Sequence, residues 1–225
     1  HRAGTVDYPD VVEAARTALE SGADQITVHL NGDRRHIQES DLKKLTNAKI
    51  NPLNLEMAAT EEMTRFALRF KPFIVCLVPE KREEVTTEGG LDVIKYKKRV
   101  GQCVQKLKKA GIRVSLFIEP NIRQVEMSRA LGADAIEFHT GRYANTKGAA
   151  QVKEFKRLVA SCERAHELGL AVHAGHGLNL ANTAKIVELP HMEELNIGHS
   201  IVCRAVSVGL SSAVREMVDL IAENA

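Results

Sequence analysis

The chain has 225 residues, with 31 Lys plus Arg against 29 Asp plus Glu and a formal charge of +2 with histidines neutral. So balanced a chain lacks the dominant basic field of a nucleic-acid protein, and with no Trp and only 4% aromatics it lacks stacking platforms for single strands. Apolar residues make up 44%, enough for a sizeable core, which excludes wholesale disorder.

In chain order, Asp7-Tyr8-Pro9-Asp10 opens a helix, Val11 to Leu19 keeps helical spacing, and Ser21-Gly22-Ala23-Asp24 stops it. Gln25 to Leu30 is rich in β-branched residues and predicts the first strand. Pro52 to Met57 and Phe73 to Val78 predict the second and third. Ile112 to Ile118 follows an amphipathic stretch from Asp92 to Lys109, and Ala135 to His139 follows a helix ending in Leu131-Gly132-Ala133-Asp134. Leu170 to Ala174 follows a helix from Val152 to Leu168, Leu195 to Gly198 is the seventh strand, and a last helix runs from about Ser211 to Ala222. Gly22, Gly111, Gly132 and Gly169 sit just past helical runs, the expected C-terminal stop.

Strand–helix alternation throughout predicts a parallel sheet with helical crossovers, in one domain over 1–225. Seven strands and eight helices, with no Gly-rich dinucleotide fingerprint, favour a (β/α)8 barrel over an open doubly wound sheet. That barrel's first strand is missing from the pattern, so the expectation is upstream sequence or a strand the pattern conceals. No apolar run reaches the roughly 18 residues of a membrane span, and HRAGTVDYPD has no signal-peptide core. Cys76, Cys103, Cys162 and Cys203 are scattered and form no CxxC pair. A cytoplasmic, globular protein with reduced thiols is expected, without membrane or nucleic-acid partner.

Such barrels carry their active sites at the C-terminal ends of the strands. Five of the nine histidines fall at or just after such ends: His29, His139, His173, His176 and His199. The acids Glu56, Glu119 and Glu137 fall there too. One such histidine would read as a satisfied rim residue; five together point to acid–base chemistry. Glu137 and His139 share a strand face, as do Thr27 and His29, but alternation leaves open which face points into the mouth. HxxxH and HExxH spacings are absent, so neither metal nor cofactor is expected.

Glycines sharpen the reading. Ala174-Gly175-His176-Gly177-Leu178 and Asn196-Ile197-Gly198-His199-Ser200 end the last two strands, where such barrels often hold a phosphate on backbone N–H groups. Ordinary tight turns would look similar, but a His in each favours phosphorylated small-molecule substrates. Asn31-Gly32-Asp33-Arg34-Arg35-His36 follows a strand end directly, placing Arg34, Arg35 and His36 within reach of a phosphate or carbonyl oxygen. Val85-Thr86-Thr87-Glu88-Gly89-Gly90 belongs to a long polar loop of the lid kind.

Taken in order, VHLNGDRRHI, LNLEMA, LVPEKREEVTTEGGLDV, VSLFIEP, IEFHTGRYA, AGHGL and ELNIGHSIV closely resemble the pyridoxine 5'-phosphate synthase family, over essentially the whole chain. The resemblance implies a (β/α)8 barrel, assembled as a homo-octamer, that condenses 1-deoxy-D-xylulose 5-phosphate with 3-amino-2-oxopropyl phosphate to pyridoxine 5'-phosphate, phosphate and water. By the same resemblance His29 and Glu56 are proton acceptors, His176 a proton donor and Glu137 a transition-state-stabilising carboxylate. His36 and Thr86 match contacts to the sugar phosphate, and Gly177, Gly198 and His199 contacts to the amino-oxopropyl phosphate. Two departures stand out. Asn31 occupies the place of a family Arg, for which Arg34 or Arg35 is the expected substitute, and Arg2 corresponds only loosely to an Arg ending the family's first-strand segment. The alternatives are another phosphate-binding barrel, an isomerase or lyase, and a catalytically impaired barrel kept for ligand binding.

Overall fold

A computed structural model describes residues 8–86 and 89–225. Asp10 caps the first helix, α1 (Val11–Glu20), its carboxylate accepting the backbone N–H groups of Val12 and Glu13 at 2.8 and 2.9 Å. Pro9 therefore lies just outside the helix rather than in its first turn. Strands and helices then alternate: β1 (Ile26–His29), α2 (Glu39–Asn47), β2 (Leu53–Met57), α3 (Glu61–Phe70), β3 (Ile74–Leu77), α4 (Lys97–Lys109), β4 (Arg113–Ile118), α5 (Ile122–Ala130) and β5 (Ala135–His139). They continue through α6 (Gly141–Asn145), α7 (Gly148–Glu167), β6 (Ala171–Gly175), α8 (Thr183–Val187), β7 (Met192–Asn196), α9 (His199–Val208) and α10 (Leu210–Asn224). Gly111 and Gly132 follow α4 and α5 with φ of 78° and 88°, the left-handed stop that only glycine adopts without cost.

All seven strands are parallel and pair in chain order, β1 to β7. The sheet curls, because Thr27 on β1 donates its hydroxyl to Asn196 Oδ1 on β7 at 2.7 Å, joining the two edges through side chains. The α/β barrel expected from the alternation is thus the observed architecture, with seven strands among the described residues. None of the helices there is long and apolar enough to cross a membrane.

Three boundaries differ from the pattern. The seventh strand is Met192–Asn196, not Leu195–Gly198; Glu193 and Glu194 are charged, so an apolar-run criterion passes over its first residues. Helix α4 begins at Lys97 rather than Asp92, because Leu91 and Val93 are fully buried against β4 and α5. There Leu91 N–H donates to Phe117 O, and Val93 N–H to Gln124 Oε1. Ten α-helices are described instead of eight; α6 and α8, five residues each, are too short to show a period.

In-register neighbours of parallel strands share a face. Leu55, Val75, Leu116, Ile136, Phe138, Val172 and Ala174 all point outward under the helices and are fully buried. The opposite positions point into the barrel: Thr27 and His29, Asn54 and Glu56, Cys76, Ser115 and Phe117, Glu137 and His139, His173 and Gly175, Glu194 and Asn196. The choice that alternation left open is thereby made, and both the Glu137–His139 and Thr27–His29 pairs face inward.

Candidate active site

The inward side chains form two groups at the C-terminal end of the sheet. The first centres on Glu137, which is 2% exposed. Its Oε2 accepts Asn196 Nδ2–H at 3.0 Å and the Cys76 thiol at 3.6 Å. A Cβ at position 175 would collide with Glu137 Oε1, so Gly175 gives the carboxyl the space it occupies against β6. Burial, reinforced by the nearby Glu56 and Glu194 carboxylates, pushes the Glu137 carboxyl well above the usual range. Asn196 also donates to Glu194 Oε1 at 2.9 Å and accepts from Thr27, which itself accepts Asn54 Nδ2–H at 3.4 Å. One polar chain thus runs from β2 through β1 and β7 to β5.

Beside it, His29 Nδ1 lies 3.5 Å from Glu56 Oε2. The other ring nitrogen of His29 is buried without a partner among the described residues. Burial, with Arg35 and His36 nearby, holds the His29 pKa down at about 4, so its ring is neutral near pH 7. Burial raises the Glu56 carboxyl. The pair therefore offers an unprotonated imidazole against a carboxyl with lowered acidity, a matched setting for proton transfer.

The second group is a run of imidazoles. His139 and His176 lie 4.8 Å apart, tilted by 40°, with the Phe117 ring edge-on to both. Burial lowers the His176 pKa, and His139 and His199 add to it. His176 has φ of 77°, a conformation costly for a side chain with a Cβ, and Gly177 follows at 80°. Thr140 holds this turn by donating its hydroxyl to Gly175 O and His176 O at 2.8 and 2.7 Å. Gly198 immediately precedes α9, and a Cβ there would meet nothing within 4 Å. Neither its φ of −120° nor packing explains that glycine, which leaves open space at the helix start.

The loops between strands and helices place the remaining predicted residues. Asn31 is buried and its carbonyl accepts Arg34 N–H at 3.0 Å, closing a turn. Arg34 donates to Glu39 Oε1 at 2.9 Å and to Glu62 Oε1 at 2.5 Å, so its guanidinium is occupied by two carboxylates. Arg35 is half exposed, 3.4 Å from Asp33, and near enough to depress His29. Thr86 sits in a hairpin closed by a Val85–Leu91 bridge, its N–H donating to Gly90 O at 2.8 Å. Arg2 lies outside the described residues.

His173 is not at the mouth. It lies a layer deeper, 3.4 Å from Glu194, with its pKa lowered by burial. Reasoning by strand ends missed the interior chain of Asn54, Thr27, Asn196 and Glu194. Its signal was a polar residue at alternate positions of three strands, Thr27 and His29, Asn54 and Glu56, Glu194 and Asn196, unusual for an enclosed sheet.

The model of the family "Pyridoxal phosphate biosynthesis protein PdxJ" matches residues 1–223. A pyridoxine 5'-phosphate synthase of Bdellovibrio bacteriovorus is 52% identical over 216 residues, covering 96% of this chain and 90% of that protein. One from Coxiella burnetii is 51% identical over 218 residues, covering 96% and 91%. Among solved structures, a phosphoribosyl anthranilate isomerase from Thermus thermophilus superposes with a TM-score of 0.60 at 14% identity, covering 94% of each chain. A structure described as native KDPGal gives 0.67 at 12% identity, covering 96% and 90%. These two likenesses concern the barrel alone. With the family model spanning nearly every residue and relatives half identical along the whole fold, the chain belongs to the PdxJ family of pyridoxal phosphate biosynthesis proteins.

Proposed function

We propose that the chain is a pyridoxine 5'-phosphate synthase that condenses 1-deoxy-D-xylulose 5-phosphate with 3-amino-2-oxopropyl phosphate to give pyridoxine 5'-phosphate, phosphate and water. The observation that carries this reading is the joint presence of His29–Glu56, Glu137 and His176 on the inner face of a PdxJ barrel. Amine addition, loss of water and ring closure each move protons, and they need bases and acids on more than one side of the substrate.

His29 and Glu56 act as proton acceptors in this reading. His29 suits the role because it stays unprotonated far below neutral pH. His176 is the proton donor, held in place by its strained turn. Glu137 faces the charge that develops during closure. Its carboxyl is fixed for that role by Asn196 and Cys76, and burial lowers its acidity. His36 and Thr86 hold the sugar phosphate, and Gly177, Gly198 and His199 hold the amino-oxopropyl phosphate with backbone N–H groups. Arg35 replaces the charge that Asn31 lacks, since Arg34 is already paired. Two phosphate anchors supply binding energy away from the reacting atoms, which orients them. A single domain over 1–225, a cytoplasmic location and a homo-octamer belong to the same reading.

The test is direct. Purified protein incubated with the two phosphates is expected to form pyridoxine 5'-phosphate, read by chromatography with fluorescence detection, and His176→Ala is expected to form almost none. Absence of product at high enzyme concentration would overturn the assignment.

A further inference from the structure

Glu119 directly follows β4 and is 3% exposed, a costly place for a carboxyl unless something requires it. Its Oε1 accepts Gly90 N–H at 2.8 Å and lies 3.1 Å from His139 Nδ1. Its Oε2 is buried with no partner among the described residues. Three glycines make room for this pair. A Cβ at Gly89 would fall 2.6 Å from His139 Cε1, and one at Gly141 would fall 2.8 Å from the same atom and 3.2 Å from His176 Cδ2. A Cβ at Gly90 would fall 2.5 Å from the Glu119 backbone nitrogen. Two separate loops are thus built without side chains where they meet Glu119 and His139, and the His139 ring is pressed toward His176.

We propose that Glu119 and His139 form a positioning pair for His176, with the Glu119 carboxylate fixing the His139 proton on Nδ1 and leaving Nε2 as an acceptor on the His176 side. A carboxylate is acceptor-only, so its neighbour must donate, and a neutral imidazole that donates from Nδ1 carries its lone pair on Nε2. The shared Glu119 oxygen also ties this tautomer to Gly90, and so to the hairpin that carries Thr86. Neither residue has a role in the assignment above, and the inference rests on His176 being the proton donor proposed there.

Three measurements on the full chain decide it. Long-range 15N–1H correlation on histidine-labelled wild type is expected to show His139 as the Nδ1–H tautomer. Glu119→Leu removes the oxygen that faces both Gly90 and His139, so the preference for the Nδ1–H tautomer is expected to be lost. In that variant and in His139→Asn, which keeps the donor to Glu119 but loses Nε2, kcat is expected to fall about 10- to 100-fold, the usual range for partners that orient a histidine. KM for both phosphates is expected to stay within about threefold, and the pH profile of kcat to move. An active wild type with an inactive His176→Ala establishes the underlying assignment separately. On that background, kcat within about twofold of wild type in both variants overturns the pair, as does a loss confined to KM. An Nε2–H tautomer in wild type overturns it even if a variant fails to fold.

Discussion

The two faces of the same seven strands differ more than any other two regions of the molecule. On the outer face Leu55, Val75, Leu116, Ile136, Phe138 and Val172 have no exposed surface and pack under the helices. One residue away along each strand, the inner face carries histidines, carboxyls, amides and a thiol. Polar atoms of His29, Asn54 and Ser115, all inner-facing, are buried without partners among the described residues. Buried polar atoms are normally satisfied, because leaving one unpaired costs about 1–3 kcal/mol. The contrast separates packing from polar capacity by a single step of the pleat: the outer face holds the barrel, and the inner face leaves polar atoms unpaired among the described residues.

The separation breaks most visibly with one substitution from each face. His176→Ala is expected to lower kcat about 10²- to 10⁴-fold, the worth of a positioned acid or base, while the thermal midpoint moves by no more than a few degrees. Phe138→Ala, on the neighbouring strand's outer face, is expected to cost about 3–5 kcal/mol of stability, read by urea unfolding. If His176→Ala unfolds the protein, or if Phe138→Ala leaves stability unchanged, the division by face is wrong.

Glu137→Gln tests the same idea with the sign reversed. Folding raises the Glu137 carboxyl, so the native state holds this proton more tightly than the unfolded chain. The stability this gives is present at low pH and is lost as pH rises through the folded-state value. Glutamine removes the ionisation. Thermal melts from pH 6 to 9 are expected to show the variant gaining on wild type as pH rises, with turnover nearly abolished. A constant difference would mean that Glu137 is ionised in the folded barrel.

Much of this contrast was legible in the sequence. Six of the seven strands, and the places of His29, Glu56, Glu137 and His176 at or near strand ends, follow from apolar runs and helix stops, because those signals are local; of the seventh strand they reach only the last two residues. The choice of face was not legible, since period two is symmetric until one inward residue is known. Nor was the bond from Thr27 to Asn196, 169 positions apart, which only a curled sheet creates. His173 and His139 look alike in sequence, each two residues after an inward residue near a strand end. The barrel puts the first beside Glu194 in its interior and the second beside His176 at its mouth.

His29 sharpens the comparison through pH. Its pKa drops from 6.5 to about 4 on folding, so the unfolded chain binds its proton more readily. Above pH 6.5 this has no effect; as pH falls toward 4, stability is lost, reaching about 3 kcal/mol, of which about 2 kcal/mol is felt by pH 5. His29→Gln abolishes the linkage. Urea unfolding of both proteins at pH 7 and 5 is expected to show the variant improving relative to wild type by about that amount at the lower pH. No relative change would mean that folding leaves the His29 pKa where it stands in the unfolded chain.

The smallest effect is expected where one short run of sequence divides between the two tasks. Arg34 and Arg35 are adjacent and chemically identical, yet the turn beginning at buried Asn31 sends them to different neighbours. Arg34 has φ of 54° and places its guanidinium between Glu39 and Glu62, with Phe66 beneath it at 5.4 Å. These carboxylates are partly exposed, so the network is worth about 1 kcal/mol or less. Arg34→Gln is expected to cost that much stability and to leave KM for both substrates near wild type. Arg35 has Asp33 at 3.4 Å as its ion-pair partner among the described residues, and its charge reaches His29. Arg35→Gln is expected to leave stability unchanged and raise KM for the sugar phosphate about tenfold, the loss of one charge-assisted contact of about 1.4 kcal/mol. The loss should shrink as salt is raised, because an exposed charge is screened. An increase in KM from Arg34→Gln instead would show that the ion pairs open when substrate binds, and that Arg34 is the residue that stands in for the family's arginine.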